Sequence, residues 1–282
     1  MPELPEVETI ARELDEVLKG KVISGAEVLR KSSFVGDEKK LIGKKIKGVD
    51  RKAKIIVIDF GGWDRKILIH LKMTGQLVWR KNRRSVAGGH PTGDWLGKLP
   101  SKHTRVFVAF EDGSRLFFND LRVFGWMKIV DRNQWSDMEG KMPPDVIDCK
   151  FSLKYFRKVL AKGNRAVKLV IMDQARMGGL GNIYACDGLF MAGIRPERKV
   201  SDLKGGEIKR LHKAIKKVIG LGIKYKGATY SDFVSSRGVG GKYQEHFLVY
   251  GRNGETCRKC RQKIKKTKLG GRGTYFCAKC QA

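Results

Sequence analysis

The chain has 282 residues, of which 41% are hydrophobic and 31% are charged, and this composition predicts a globular protein with room for two domains. Its 59 lysines and arginines outnumber its 29 acidic residues, and the formal net charge of +30 favours a polyanionic partner such as nucleic acid. No amphipathic anchor or membrane-spanning stretch accompanies this charge, so a membrane partner is not expected.

The N-terminus reads Met1-Pro2-Glu3-Leu4-Pro5-Glu6-Val7-Glu8. Removal of the initiator methionine would leave Pro2 as a terminal secondary amine beside the carboxylate of Glu3. A terminal amine titrates at about pH 8, so roughly a tenth of it is unprotonated at neutral pH and can attack carbon. Its adduct with an aldehyde-like carbon is an iminium ion, which withdraws electrons from an attached sugar. The alternative is that Pro2 only begins a helix.

The next elements are one helix and a β-rich region. Apolar residues recur at helical spacing from Val7 to Leu18, which predicts an amphipathic helix with Pro5 in its first turn. Two hairpins are then indicated: strands at 55–58 and 67–69 around Gly61-Gly62, and strands at 106–108 and 116–118 around Asp112-Gly113.

The pattern changes after residue 133, where polar residues and Pro143-Pro144 indicate an interdomain connection. Helical periodicity follows, for example at Ile208, Leu211, Ile215 and Val218. Within this region a glycine-rich turn spans 178–185. Its glycines would let backbone N–H groups and Asn182 approach a phosphate, or they would only permit close helix packing.

Near the C-terminus, Cys257 and Cys260 are followed after a spacer of 16 residues by Cys277 and Cys280. This CxxC…CxxC spacing is typical of a closed tetrahedral site for one structural Zn²⁺. A pair of disulfides is the alternative, and it would need an oxidising compartment. No secretory signal is evident, so zinc is favoured.

The two remaining cysteines, Cys149 and Cys186, are expected to be buried free thiols. The residues around the zinc ligands are strongly basic, which is typical of a ribbon that contacts phosphate. Eight cations lie between 258 and 272: Arg258, Lys259, Arg261, Lys263, Lys265, Lys266, Lys268 and Arg272.

Four motifs together resemble the bacterial formamidopyrimidine-DNA glycosylases. They are the opening Met1–Glu8, the segment Asp120-Leu121-Arg122-Val123-Phe124-Gly125, the turn Gly179-Leu180-Gly181-Asn182-Ile183-Tyr184-Ala185, and the four-cysteine ribbon. The resemblance implies an α+β protein, and its domains would be a helix-led catalytic β-sandwich at 1–135, a linker at 136–150, a helix–two-turn–helix domain at 151–248 and a zinc finger at 249–282. The implied reaction is excision of 8-oxoguanine and formamidopyrimidines from duplex DNA, followed by cleavage at the abasic site.

The resemblance also implies catalytic roles. Pro2 would attack the sugar C1′ and form a Schiff base, and Glu3 would act as general acid and base on the opened ribose. Lys54 would grip a phosphate or assist proton transfer, although from sequence alone a solvated cation at a strand end is the simpler interpretation. Cleavage would proceed by β,δ-elimination without a redox cofactor.

DNA-contacting residues follow from the same resemblance. Met73, Arg122 and Phe124 would fill the void left by the extruded base. Without the resemblance, hydrophobic core would be the default interpretation for Met73 and Phe124; with it, the void-filling role is favoured. Asn182 and Arg272 would clamp the phosphates that flank the lesion. His70, in the Met73 segment, and Lys168 are further expected DNA contacts.

Three segments depart from the family pattern or bear on specificity. Leu121 and Val123 stand where many members have proline and arginine, and Cys186-Asp187-Gly188 replaces an acidic pair followed by a small residue. The loop 230–243 matches the length of the lesion-recognition loop, and its glycines predict mobility.

Two other functions remain open. An enzyme of the endonuclease VIII type would share the Pro2 and Glu3 chemistry but excise oxidised pyrimidines; Leu4 and the loop at 230–243 argue against it. A non-catalytic zinc-containing DNA-binding protein would explain the basicity but not Pro2-Glu3. The expected partner is duplex DNA that contains an oxidised base or an abasic site, and the expected state is a monomer in the bacterial cytoplasm, associated with the nucleoid.

Overall fold

The structure is a computed structural model that describes residues 1–90, 92–95, 97–161, 163–228 and 240–282, without the side chain of Trp95. The chain divides into two units, Met1–Lys141 with Lys226–Gly241, and Met142–Tyr225 with Lys242–Ala282. The division after Lys141 falls inside the predicted linker. The lesion-recognition loop expected at 230–243 lies largely outside the described residues.

The first unit begins with helix α1, Leu4–Leu18, as its periodicity predicts. Its apolar face, from Leu4 to Leu18, is buried against strands β3 (Lys45–Lys52) and β7 (Arg84–Gly89). Gly88 permits the close approach to β7, because a Cβ there would lie 2.3 Å from Ile10 Cγ1. Pro5 lies in the first turn, as expected.

Two five-stranded sheets form the rest of this unit, and together with α1 they enclose one hydrophobic core. One sheet has the order β1-β8-β9-β6-β7 and the other β2-β10-β5-β4-β3. The strands are β1 Ile23–Val28, β2 Phe34–Val35, β3 Lys45–Lys52, β4 Ile55–Gly61, β5 Arg65–His70, β6 Gly75–Lys81, β7 Arg84–Gly89, β8 Thr104–Phe110, β9 Arg115–Asp120 and β10 Trp126–Asp131. This helix-led β-sandwich confirms the expected architecture, and both predicted hairpins, β4–β5 and β8–β9, are present.

The second unit is helical and ends in a two-stranded ribbon. After α2, Arg132–Lys141, which closes the first unit, its helices are α3 Leu153–Leu160, α4 Val167–Ile171, α5 Asn182–Ala192 and α6 Gly205–Lys224. The ribbon strands are β11 Lys265–Leu269 and β12 Arg272–Phe276. Burial of Leu211, Ile215 and Val218 on one face of α6 confirms the helical period.

The free thiols are only partly as expected. Cys186 is buried, but Cys149 is exposed, so the prediction of two buried thiols is wrong for Cys149. Cys149 lies in a turn ahead of α3, where its Sγ is 3.4 Å from Asp148 Oδ1, and short-range sequence does not reveal which side of such a turn faces solvent. Among the helices described, none is both long and apolar enough to span a bilayer.

Candidate active site and nucleic-acid interface

Glu3 is the N-cap of α1, and a reciprocal capping box holds it. Its carboxylate accepts from the backbone N–H of Glu6, while the Glu6 carboxylate accepts from the Glu3 N–H at 2.8 Å. The second Glu6 oxygen accepts from the Ala228 N–H at 2.8 Å. With an exposed fraction of 3%, Glu3 is a buried carboxylate in a defined position immediately after Pro2.

Pro2 is buried, and in this structure it is preceded by Met1. Its nitrogen is then a tertiary amide, and it becomes a nucleophilic secondary amine only when Met1 is removed. The terminal amino group contributes, after burial, to lowering the pKa of His90. The backbone N–H of His90 donates to Gly75 O at 3.0 Å, so the N-terminus lies near the segment that carries Met73.

Lys54 and His70 lie at the same end of the sheet with the order β2-β10-β5-β4-β3. Lys54 follows Ala53, whose φ is 51°, in the tight β3–β4 turn, and its exposed fraction is 5%. It is therefore not the solvated strand-end cation of the simpler interpretation. Burial, followed by the positive charges of Lys72 and Lys54, lowers the pKa of His70 to about 4.

The tautomer of His70 follows from its hydrogen bond. The backbone N–H of Lys72 donates to His70 Nδ1 at 3.0 Å, which leaves the proton on Nε2. At neutral pH His70 is therefore an uncharged N–H donor. Such a donor suits a phosphate oxygen without adding a further cation beside Lys54.

The low pKa of His70 predicts a pH-dependent stability. The folded pKa of about 4 lies below the unfolded value, so this contribution is complete above pH 6.5 and is lost as the pH falls towards 4. Between pH 7 and pH 5 we expect wild type to lose about 2 kcal/mol more than His70→Gln in urea unfolding. Equal losses in the two proteins would contradict the buried neutral imidazole.

The carboxylate of Asp120 organises the loop that carries Arg122 and Phe124. Asp120 accepts from Thr74 Oγ1, from the Arg122 N–H at 3.2 Å and from the Gly125 N–H at 2.6 Å. The same Arg122 N–H also lies 2.9 Å from Thr74 Oγ1. Sequence reasoning did not assign Asp120 or Thr74, although an aspartate that opens a turn motif signals such backbone hydrogen bonds.

Three side chains project from this loop and from the β5–β6 loop, which carries Met73 and Thr74. Met73 and Phe124 have exposed fractions of 41% and 53%, so the interpretation as hydrophobic core is wrong for both. The guanidinium carbon of exposed Arg122 lies 4.8 Å from the Phe124 ring centroid. Val123 between them has a φ of 58°, a left-handed backbone conformation that is strained for a β-branched residue. An apolar wedge, a cation and an aromatic ring are thus presented to solvent.

In the second unit, Lys168 and Asn182 converge on the ribbon. Lys168 is fully buried, and its Nζ donates to Thr274 Oγ1 at 2.6 Å. Asn182 is the first residue of α5, and its Nδ2 donates to Gly273 O at 3.0 Å. Lys168 therefore contacts the ribbon directly, and its expected effect on DNA is indirect.

These bonds place Arg272, which is exposed and immediately precedes Gly273. The turn before it uses Gly270 and Gly271 with φ of 56° and 75°. The turn also packs against α4, because a Cβ on Gly270 would lie 2.4 Å from Leu169 Cδ2. Asn182 at the N-terminus of α5 and Arg272 on the ribbon are therefore held close to each other.

Asp187 is a buried carboxylate that the sequence left unassigned. Its oxygens accept from three consecutive backbone N–H groups, those of Leu248, Val249 and Tyr250, at 3.0–3.1 Å, and from the Tyr243 hydroxyl at 3.1 Å. Burial raises the pKa of Asp187, and these four hydrogen bonds oppose that rise. The departure from the family pattern at 186–188 thus retains an acid that ties α5 to the segment before the ribbon.

We expect Asp187→Asn to destabilise the second unit by about 3 kcal/mol, because an amide offers a single oxygen to four donors and turns its own N–H groups towards them. Tyr243→Phe is the matched control, since it removes one donor and should cost about 1 kcal/mol. Urea unfolding at pH 7 measures both. Equal effects would show that the backbone N–H groups do not depend on the carboxylate.

The four cysteines of the ribbon converge as a metal site. Their Sγ atoms all lie within 4.8 Å of one another, and two pairs, Cys260–Cys277 and Cys257–Cys280, are 3.4 and 3.9 Å apart. Tetrahedral zinc with Zn–S bonds of about 2.3 Å separates its thiolates by about 3.8 Å. None of the six cysteines forms a disulfide, so the geometry fits one structural Zn²⁺ and not the disulfide alternative.

Comparisons with known proteins agree with this geometry along the whole chain. Residues 1–127 match the formamidopyrimidine-DNA glycosylase N-terminal domain, residues 142–234 match the H2TH domain of the same enzymes, and residues 254–282 match a zinc finger found in FPG and IleRS. The formamidopyrimidine-DNA glycosylase of Desulforamulus reducens is 36% identical, and that of Bacillus subtilis 35%; each alignment covers 100% of this chain and 99% of the relative.

Solved structures give the same result. Lactococcus lactis Fpg bound to DNA containing an abasic site has a TM-score of 0.87 and 31% identity, with 99% of both chains covered. The same enzyme bound to DNA containing N7-benzyl-Fapy-dG gives an equal TM-score. Fold and site together define a zinc-containing DNA glycosylase of base excision repair. The chain belongs to the formamidopyrimidine-DNA glycosylase family.

Proposed function

We infer that this protein is a bifunctional DNA glycosylase and abasic-site lyase that removes formamidopyrimidine and 8-oxoguanine from duplex DNA. The observation that carries this inference is the buried Pro2-Glu3 pair at the start of α1, in the unit that also presents Met73, Arg122 and Phe124. The relatives named above are formamidopyrimidine-DNA glycosylases, and the Lactococcus lactis enzyme binds abasic and Fapy-dG DNA.

Pro2 is the proposed nucleophile. After loss of Met1, its nitrogen attacks C1′ of the damaged nucleotide, and the bond between C1′ and the base breaks. Opening of the sugar ring gives an iminium ion whose α proton is acidic. Removal of that proton expels the 3′ phosphate, and a second elimination expels the 5′ phosphate.

Glu3 is the proposed proton carrier. The capping box fixes its carboxylate one residue from the attacking nitrogen, so it can protonate the ring oxygen of the sugar and later accept a proton. Lys54 and uncharged His70 supply a cation and an N–H donor at the same end of the sheet, where a backbone phosphate would lie.

Base extrusion costs a few kcal/mol of lost stacking and pairing, and the exposed trio reduces that cost. Met73 would enter the stack, Arg122 would bond the orphaned base, and Phe124 would wedge between neighbouring bases. The second unit would hold the flanking phosphates through Asn182 and Arg272, with Lys168 keeping the ribbon in place. Cys257, Cys260, Cys277 and Cys280 would hold a zinc ion with four thiolates and leave it no open position, so its role would be structural.

Substrate class separates this function from its alternatives. Borohydride reduction should trap a covalent complex with duplexes containing 8-oxoguanine, formamidopyrimidine or an abasic site, and far less with thymine glycol. Preferential trapping on thymine glycol would indicate the endonuclease VIII type of activity. Tight binding without any trapping would indicate a non-catalytic DNA-binding protein.

Cellular context belongs to the same proposal. The relatives named above are bacterial proteins. A monomer in the bacterial cytoplasm, associated with the nucleoid, would meet its substrate directly. Cell fractionation with and without nuclease treatment tests this association, and size-exclusion chromatography tests the monomer.

A further inference from the structure

A cavity in the first unit is lined by none of the site residues described above. It is lined by four cations, Lys39, Lys40, Lys44 and Arg65, together with Trp63 and Ile42. We call it the Trp63 pocket. A short helical turn, Glu38–Leu41, contributes the first two cations, and the β4–β5 hairpin contributes Trp63 and Arg65.

The strand register places this pocket at the opposite end of the sheet from Lys54. Lys45 pairs with Gly61 beside the pocket, and Lys52 pairs with Ile55 beside Lys54. Seven residues of β4 at about 3.3 Å each separate the two ends by about 20 Å. The end of the sheet that carries Lys54 and His70 is called the reactive end. A ligand in the Trp63 pocket would therefore not compete with DNA at the reactive end.

Two of the four cations lie close to the indole ring. Lys44 Nζ lies 5.5 Å and Arg65 Cζ 6.0 Å from the Trp63 ring centroid. Within the part of the chain that the structure describes, none of the four cations has a carboxylate within salt-bridge distance. The one carboxylate that lines the cavity, Asp64, leaves a strong excess of positive charge.

The lining of the pocket also includes two apolar side chains, Trp63 and Ile42. Phe60 packs edge-on against Trp63, with ring centroids 5.1 Å apart, and so fixes the orientation of the indole. Ile42 has an exposed fraction of 51%, although it follows the fully buried Leu41. An oriented aromatic ring and an exposed aliphatic side chain beside unpaired cations can accept a planar group that carries phosphate.

We propose that the Trp63 pocket binds one nucleotide unit of single-stranded nucleic acid. The base packs on Trp63 and Ile42, and the adjoining phosphates pair with the lysines and Arg65. A regular duplex keeps its bases inside the stack, so it offers phosphate but no base face to a concave site. An acidic peptide would pair with the cations and leave the indole without a planar partner. This second site would let the protein hold single-stranded DNA while a duplex occupies the reactive end.

The test is fluorescence anisotropy with a labelled eight-nucleotide oligothymidylate. The full-length protein is first saturated with an unlabelled duplex that carries a stable abasic-site analogue, so that the reactive end is occupied. We expect saturable binding that weakens as salt is raised. Trp63→Ala should weaken it at least about fivefold, as expected for the loss of one stacked base. Thymidine monophosphate should compete only at much higher concentration than the unlabelled oligonucleotide.

Charge variants keep the test valid should Trp63→Ala fold poorly. Lys40→Glu with Lys44→Glu should abolish the salt-dependent binding. Lys213→Glu with Lys217→Glu is the matched control, since these lysines are exposed on α6 outside the pocket, and it should bind like wild type. Unaltered affinity in all pocket variants overturns the site. Equal competition by thymidine monophosphate or by polyglutamate overturns the single-stranded nucleic acid as its ligand.

Discussion

One additional residue ahead of Pro2 will abolish both borohydride trapping and base excision. The extension keeps the proline side chain but leaves its nitrogen as a tertiary amide, which has no nucleophilic lone pair to form the iminium ion. We expect the single-turnover excision rate on 8-oxoguanine duplex to fall by at least about three orders of magnitude. Mass spectrometry of the purified protein should show that wild type has lost Met1.

The control for this experiment separates chemistry from binding. Affinity for a duplex with a stable abasic-site analogue should change less than about threefold, because phosphate contacts dominate affinity and remain in place. Pro2→Gly is not a substitute for the extension, since it still offers a terminal amine. Peptide mapping of the trapped wild-type adduct should identify Pro2, and an adduct on Lys54 would transfer the nucleophile role to that residue.

Loss of the ribbon zinc should have the second large effect. Cys277→Ser removes one of four thiolates, and a ribbon with few buried apolar residues of its own then loses the folding energy that metal binding supplies. Arg272 would no longer be held beside Asn182. We expect affinity for the abasic-analogue duplex to fall at least about 100-fold and zinc content by atomic absorption to fall towards zero.

The matched control is Cys149→Ser. It changes an exposed thiol outside the cluster, so zinc content and DNA affinity should both stay at wild-type values. Retention of wild-type affinity in zinc-free Cys277→Ser protein would contradict the structural role of the metal. Reduced affinity with unchanged zinc would instead indicate that Cys277 acts on DNA independently of the ion.

Local sequence patterns were sufficient for several elements. The period of the apolar residues predicted α1 and α6, and turn residues between β-rich runs predicted both hairpins. The cysteine spacing predicted the convergence of four sulfurs, because two CxxC knuckles joined by a ribbon leave few other arrangements. Each of these features depends on residues close together in the chain, or on a spacing that permits one geometry.

Other features depended on contacts between distant segments. Met73 and Phe124 are residue types typical of a core, and apart from the family resemblance their exposure is explained only by the loop that Asp120 and Thr74 hold. The hydrogen bonds that Asp187 accepts from backbone N–H groups join residues about sixty positions apart. The chain alone thus specified α1, α6, both hairpins and the four cysteines of the metal site. Only packing decided which apolar side chains face solvent and which carboxylates are buried as hydrogen-bond acceptors. Burial is a property of the assembled neighbours and not of the residue type.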